Sequence, residues 1–254
     1  MINANIVASK HIWGNITGGH KQGKNVIAVA NITSVDNIAN SSSRGPAHDG
    51  RVKPDLGGVG TSVYSTQENN TYGSKTGTSM SCPGVAGTLA LIYQGYKNFN
   101  GNMEPDGGLA KALLMNTADD LGNAHVDFIY GYGRINAFRA MECIEDDNIV
   151  MDTVTGNGSN AFDIIVPPGT KEVRVMLHWT DPQALANTSR ALVNNLDLSV
   201  EHIASSTTYQ PWVLNPTPNA ALLNSTALRA TDSLNNTEQF TLENPDTGLY
   251  TITV

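Results

Sequence analysis

The chain has 254 residues, a formal net charge of −8 and only 15% charged residues. That length serves one large domain or two ordinary ones, each with its own core, and the acidic balance argues against nucleic acid or an anionic membrane surface as a partner. No apolar run approaches the ~20 residues that span a bilayer, and no charged-then-apolar leader opens the sequence. Abundant Asn, Ser, Thr and Gly fit a loop-rich, exported protein.

The first two dozen residues are polar and irregular, with His11, Trp13, Asn15 and His20 among glycines. Val26 to Ile32 then forms a near-continuous apolar run, the pattern of a strand buried on both faces of a parallel sheet. Gly45-Pro46 and Asp49-Gly50 punctuate the loop after it. A second short strand is expected around Thr61 to Ser65, followed by a Tyr72-Gly73 loop. Next comes Gly77-Thr78-Ser79-Met80-Ser81-Cys82-Pro83 and an apolar run through Ile92, which reads as a loop feeding a buried helix with Pro83 in its first turn. Cys82 and Cys143 allow one disulfide without demanding it; Cys82, three residues after Ser79, suits a packed thiol.

Asp106-Gly107-Gly108 is a start signal for a helix carrying Leu109, Ala112, Leu113 and Asn116. Gly131 to Ala137 opens a last short helix that runs to about Cys143. From Ile149 helical periodicity gives way to short alternating segments, Ala161 to Val166, Glu172 to Trp179, Leu196 to His202, Gln239 to Glu243 and Gly248 to Val254. Pro-Gly, Asp-Pro and Asn-Pro turns divide them, which predicts an antiparallel β-sandwich of jelly-roll type. Two domains are expected, residues 1–147 with α/β character and residues 148–254 all-β. The chain stops inside an expected strand; a sandwich cut there would leave an open edge, so a truncated C-terminus is expected.

Ser79 carries the functional reading. A serine at the start of a helix lies among N–H groups that stabilise an oxyanion. The plainer alternative is an N-cap. Its company favours chemistry: Ser41-Ser42-Ser43-Arg44-Gly45-Pro46, then Asp49-Gly50-Arg51-Val52-Lys53-Pro54-Asp55, then Gly77-Thr78-Ser79-Met80, all after the apolar strand. In this order they resemble the subtilisin-like serine proteases, the subtilases. Trp179-Thr180-Asp181, Leu192 to Leu198, Asn235-Asn236-Thr237-Glu238 and the segment from Pro245 to Val254 resemble the C-terminal β-sandwich of large secreted subtilases, a module similar to the P domain of proprotein convertases.

The resemblance implies an endopeptidase acting on protein or peptide substrates in an extracellular setting, with Ser79 as nucleophile and its own N–H in the oxyanion hole. Gly77, Thr78, Met80 and Pro83 match the motif around it. Gly58-Val59-Gly60 and Gly84 depart from the family pattern, which bears on loop geometry and leaves the nucleophile untouched. The Asp and His of the triad precede the serine in subtilases, in D-[ST]-G and H-G-T segments that this sequence lacks before Ser79, so the chain alone is expected to be inactive. His11, His20 and His48 lack the H-G-T context, and His125, His178 and His202 follow the serine. Asp246-Thr247-Gly248 spells the aspartate motif at a turn before a terminal strand, a decoy. Asn15 is the nearest match to the family's oxyanion asparagine, at a spacing that does not fit.

No cofactor is needed for this chemistry. The resemblance implies structural calcium as one option, with Asp197, Asp232, Asn235 and Glu238 as oxygen donors; Asx turns are the other reading of the same residues. A non-catalytic adhesion or docking module that retains a protease remnant is the alternative function. Oligomeric state is not legible.

Overall fold

The computed structural model describes residues 2–3, 13–14, 16 and 19–254. His11 and Asn15 lie outside these. Strand β2 (Ala28–Ile32) is buried at every position, as its uninterrupted apolar run requires. It is the middle of a parallel three-stranded sheet between β1 (Ile2–Asn3) and β3 (Leu56–Val59), in register Val29 to Leu56. The strand expected around Thr61 to Ser65 is β4 (Val63–Gln67), and it lies outside this sheet. It pairs antiparallel with β5 (Thr71–Lys75), so Tyr72-Gly73 is strand and not loop.

Helix α1 (Thr78–Phe99) turns Val85 and Ile92 into the apolar cluster on β2 and β3. Helix α2 (Gly107–Asn116) starts where Asp106 accepts the Gly108 N–H at 2.7 Å, and α3 (Ala137–Glu145) where Asn136 accepts that of Arg139 at 3.0 Å.

Further along stand β6 (Ala161–Val166), β7 (Glu172–His178), β8 (Ser199–His202), β9 (Thr207–Tyr209), β10 (Trp212–Val213), the short helix α4 (Ala220–Leu223), β11 (Leu228–Arg229), β12 (Thr237–Glu243) and β13 (Gly248–Thr253). They form a four-stranded antiparallel sheet in the order β6-β13-β8-β9, the β7–β12 ladder and a β10–β11 pair. Val166, Leu198, Val200, Phe240 and Tyr250 form the cluster between the four-stranded sheet and the ladder. Strand β13 is hydrogen-bonded on both sides, to β6 and to β8.

The larger cluster draws on both ends of the sequence, joining Val29, Leu56, Leu114 and Phe128 to Leu214, Leu223 and Ala227. Charge is also buried beside β2 and β3. The Asp55 carboxylate takes Nζ of Lys53 at 2.6 Å, Nζ of Lys111 at 2.9 Å and the Ala28 N–H at 2.6 Å. Burial works to raise the pKa of Asp55, but Lys111 and Lys53 hold it below the usual carboxylate range. Burial takes Lys53 down to about 7, against the pull of Asp55. Among the described residues no helix is long and apolar enough to cross a membrane.

Candidate active site

Ser79 is the second residue of α1 and is exposed. Gly77 occupies the cap position with no side-chain bond, so Ser79 is not the N-cap. The Gly77 carbonyl receives Met80 N–H at 2.9 Å and Ser81 N–H at 3.3 Å, closing the first turn. Ser79 therefore sits among the N–H groups that point out of the helix end. Pro83 lies in the second turn, not the first. Lacking an N–H, it gives the Ser79 carbonyl no i+4 donor.

Two contacts fix this turn against the sheet. Gly77 donates to the Gly60 carbonyl at 2.9 Å, just beyond β3. A side chain at Gly60 would meet the Gly77 carbonyl at 2.6 Å and Asn31 Oδ1 at 2.7 Å, so only glycine allows this approach. Below it, the fully buried Ser81 hydroxyl lies between the carbonyls of Ala30, at 2.7 Å, and Gly58, joining α1 to β2 and β3 together. Thr78 Oγ1 and Asn31 Nδ2, both buried beside this turn, have no hydrogen-bond partner among the described residues. Sequence reading singled out Thr78 for its motif and passed over Asn31, which looks like any strand residue until Gly60 and Thr61 are brought against it.

Three of the described histidines have partners of their own. His125 stacks on Trp212 with centroids 3.7 Å apart, His178 Nδ1 meets Thr237 Oγ1 at 2.7 Å, and His202 Nδ1 meets Ser205 Oγ at 2.8 Å. His20 and His48 are exposed. Asp246 to Gly248 is the turn between β12 and β13, where the Asp246 carbonyl accepts the Tyr250 hydroxyl at 3.0 Å. Cys82 and Cys143 are free thiols, each with its pKa raised by burial.

Several of the oxygens considered for calcium accept local hydrogen bonds. Asp232 accepts the Leu234 and Asn235 N–H groups at 2.8 and 3.1 Å and the Asn235 amide at 2.7 Å, while Asn235 Oδ1 accepts the Val52 N–H at 2.8 Å. Glu238 Oε2 accepts the Leu198 N–H at 2.6 Å; burial pushes its carboxyl up to about 8, and Oε1 is buried without a partner among the described residues. Among the described residues no three His, Cys, Asp or Glu side chains are grouped to hold a metal. Asp232 and Asn235 form the Asx turn of the plainer reading.

The subtilase family model matches residues 13–133, a stretch that holds the apolar strand, the Arg44-Gly45-Pro46 loop and the whole Ser79 turn. The similarity to the subtilase family thus covers just under half of the chain. C5a peptidase of Streptococcus pyogenes is 31% identical over 140 residues, 51% of this chain and 12% of that protein. Subtilisin DY of Bacillus licheniformis is 38% identical over 117 residues, 46% of this chain and 37% of that one. PII-type proteinase of Lacticaseibacillus paracasei is 29% identical over 146 residues, 51% and 8%. The match thus spans between 8% and 37% of the length of these relatives. Among solved structures, a mutant of the protease domain of PatA shares a TM-score of 0.40 at 16% identity, over 48% of this chain and 40% of that one.

Proposed function

We propose that this subtilase segment is part of a serine endopeptidase in which Ser79 Oγ attacks the scissile carbonyl and forms an acyl-enzyme. The observation that carries the reading is the place of Ser79: exposed, in the first turn of a helix held by glycine contacts at the end of a parallel sheet. Attack transfers the hydroxyl proton to an imidazole and puts negative charge on the carbonyl oxygen, which the N–H groups at the α1 terminus stabilise. The imidazole and its orienting carboxylate come from polypeptide outside these 254 residues, because no histidine before Ser79 stands in the family's H-G-T context. The chain alone is then catalytically incomplete. The substrate is a protein or peptide and the setting extracellular, the latter supported by the composition. The division into a catalytic part, 1–147, and an all-β part, 148–254, belongs to the same proposal.

Labelling with a fluorophosphonate tests it, on the 254-residue chain alone and in the protein that also carries the Asp and His segments, each beside Ser79→Ala. Labelling is expected only in the second and only with Ser79 present. Labelling that survives Ser79→Ala there would overturn the nucleophile, and Ser79-dependent labelling of the chain alone would overturn the incompleteness.

A further inference from the structure

A cavity of about 370 Å³ opens where the β7–β12 ladder meets the segment after α2, a size within the range of small-molecule sites. Its floor follows from the two-residue period of a strand. Phe240, Leu242, Val173 and Val175 face the smaller apolar cluster, so Thr241 and Glu243, with Arg174 and Glu172 opposite them, face the other way. Against that polar face stand Asp120, His125 and Tyr132. The cavity is remote from Ser79. Tyr132 N–H bonds the Asp55 carbonyl before β3, whereas Gly77 N–H bonds the Gly60 carbonyl after it, and five extended residues separate those points by about 16 Å.

The charges here are incompletely matched. Glu172 and Glu243 lie directly opposite each other across the ladder, an unfavourable like-charge pair unless cations offset it. Glu172 has them, Arg174 Nε at 2.6 Å and Arg139 Nη2 at 3.7 Å. Among the described residues Glu243 has no ion pair, and neither has Lys171 at the mouth. Arg174 uses Nη1 on the carbonyls of Ala118, at 2.8 Å, and Asn116, at 3.5 Å; its Nη2 makes no hydrogen bond among the described residues. The lining thus offers donors to an anion in Arg174 and Lys171, and to a cation a carboxylate, Glu243, that has no ion pair among the described residues. A purely anionic ligand would meet Asp120, Glu172 and Glu243, and a purely cationic one Lys171 and Arg174. A molecule with one group of each sign can pair with both kinds of group.

We propose that this cavity binds a small zwitterion, an α-amino acid or dipeptide, with its ammonium toward Glu243 and its carboxylate toward Arg174 and Lys171. The site is independent of the Ser79 reading. Titration of the isotopically labelled chain with dialanine, followed by amide NMR, tests it. Saturable shifts are expected around Glu243, Arg174 and Tyr132. Acetylating the peptide's amine, or amidating its carboxylate, should weaken binding about tenfold. Glu243→Gln, at an exposed strand end where the fold tolerates it, should weaken dialanine about tenfold and leave the acetylated peptide unaffected, the mark of a direct pairing. Lys171→Met should do the same for the carboxylate. Absence of saturable shifts overturns the proposal, as do shifts elsewhere on the surface, equal binding of the blocked peptides, or indifference to both substitutions.

Discussion

Lys24 and Asp181 form a buried ion pair across 157 positions of sequence. The same carboxylate accepts the N–H groups of Val193 and Asn194, each at 2.8 Å, and Asn25 bonds the Asp181 backbone in both directions, at 2.8 and 3.2 Å. Removing one partner leaves the other charge buried and uncompensated. Asp181→Ala should lower the unfolding free energy by about 3–5 kcal/mol in urea titration. A loss below about 1 kcal/mol would show that the pair does not tie these segments together.

Gly60→Ala should destabilise by about 1–3 kcal/mol, because its methyl has no space against the Gly77 carbonyl. Gly87→Ala, in α1 with nothing near the added carbon, should instead stabilise by about 0.5–1 kcal/mol. Melting temperatures of the two variants moving in the same direction would contradict this account of the turn.

Ser81→Ala removes a fully buried hydroxyl and leaves whichever of the Ala30 and Gly58 carbonyls takes its proton short of a donor. A loss of about 1–3 kcal/mol is expected from thermal unfolding. In the protein that carries the whole triad, labelling of Ser79 should slow as well, since α1 loses its attachment to β2 and β3.

Burial, reinforced by the nearby charge of Lys111, depresses the pKa of His178 from 6.5 to about 3. The unfolded chain therefore takes up a proton between those values that the native state refuses. Stability is complete above pH 6.5 and falls as pH drops toward 3, by at most about 1.4 kcal/mol per pH unit from this group. Melting at pH 7 and at pH 4.5 should show a smaller acid loss for His178→Gln than for the unsubstituted protein. Parallel losses would place the acid sensitivity elsewhere.

Elements set by local pattern were legible. The apolar run around Val29 is β2, Ala161–Val166 is a strand over the expected residues, and Asp106 and Asn136 cap the helices near the expected starts. Elements that depend on a distant partner were not. Tyr72-Gly73 looks like a turn because nothing local shows that it faces Ser65 and Thr66. Thr207–Tyr209 is too short and polar to stand out, and is strand only beside β8. The family motif placed Ser79 at a helix start but set Pro83 one turn early, since the helix begins at Thr78. Lys53 and Asp55 were legible only as part of a motif, and Lys111 lies more than fifty residues on; only the fold brings them into one buried group. The cavity wall comes from three separated stretches, so no window of sequence contains it.

Strand β13 is inserted between β6 and β8, although it follows both in the chain. During synthesis, β6 and β8 leave the ribosome with no neighbour to bridge them, and each exposes a row of unsatisfied peptide groups until the middle strand arrives. The sheet must therefore close late and from its outer members inward, a high-contact-order route that makes the nascent chain dependent on prompt completion or on chaperone cover.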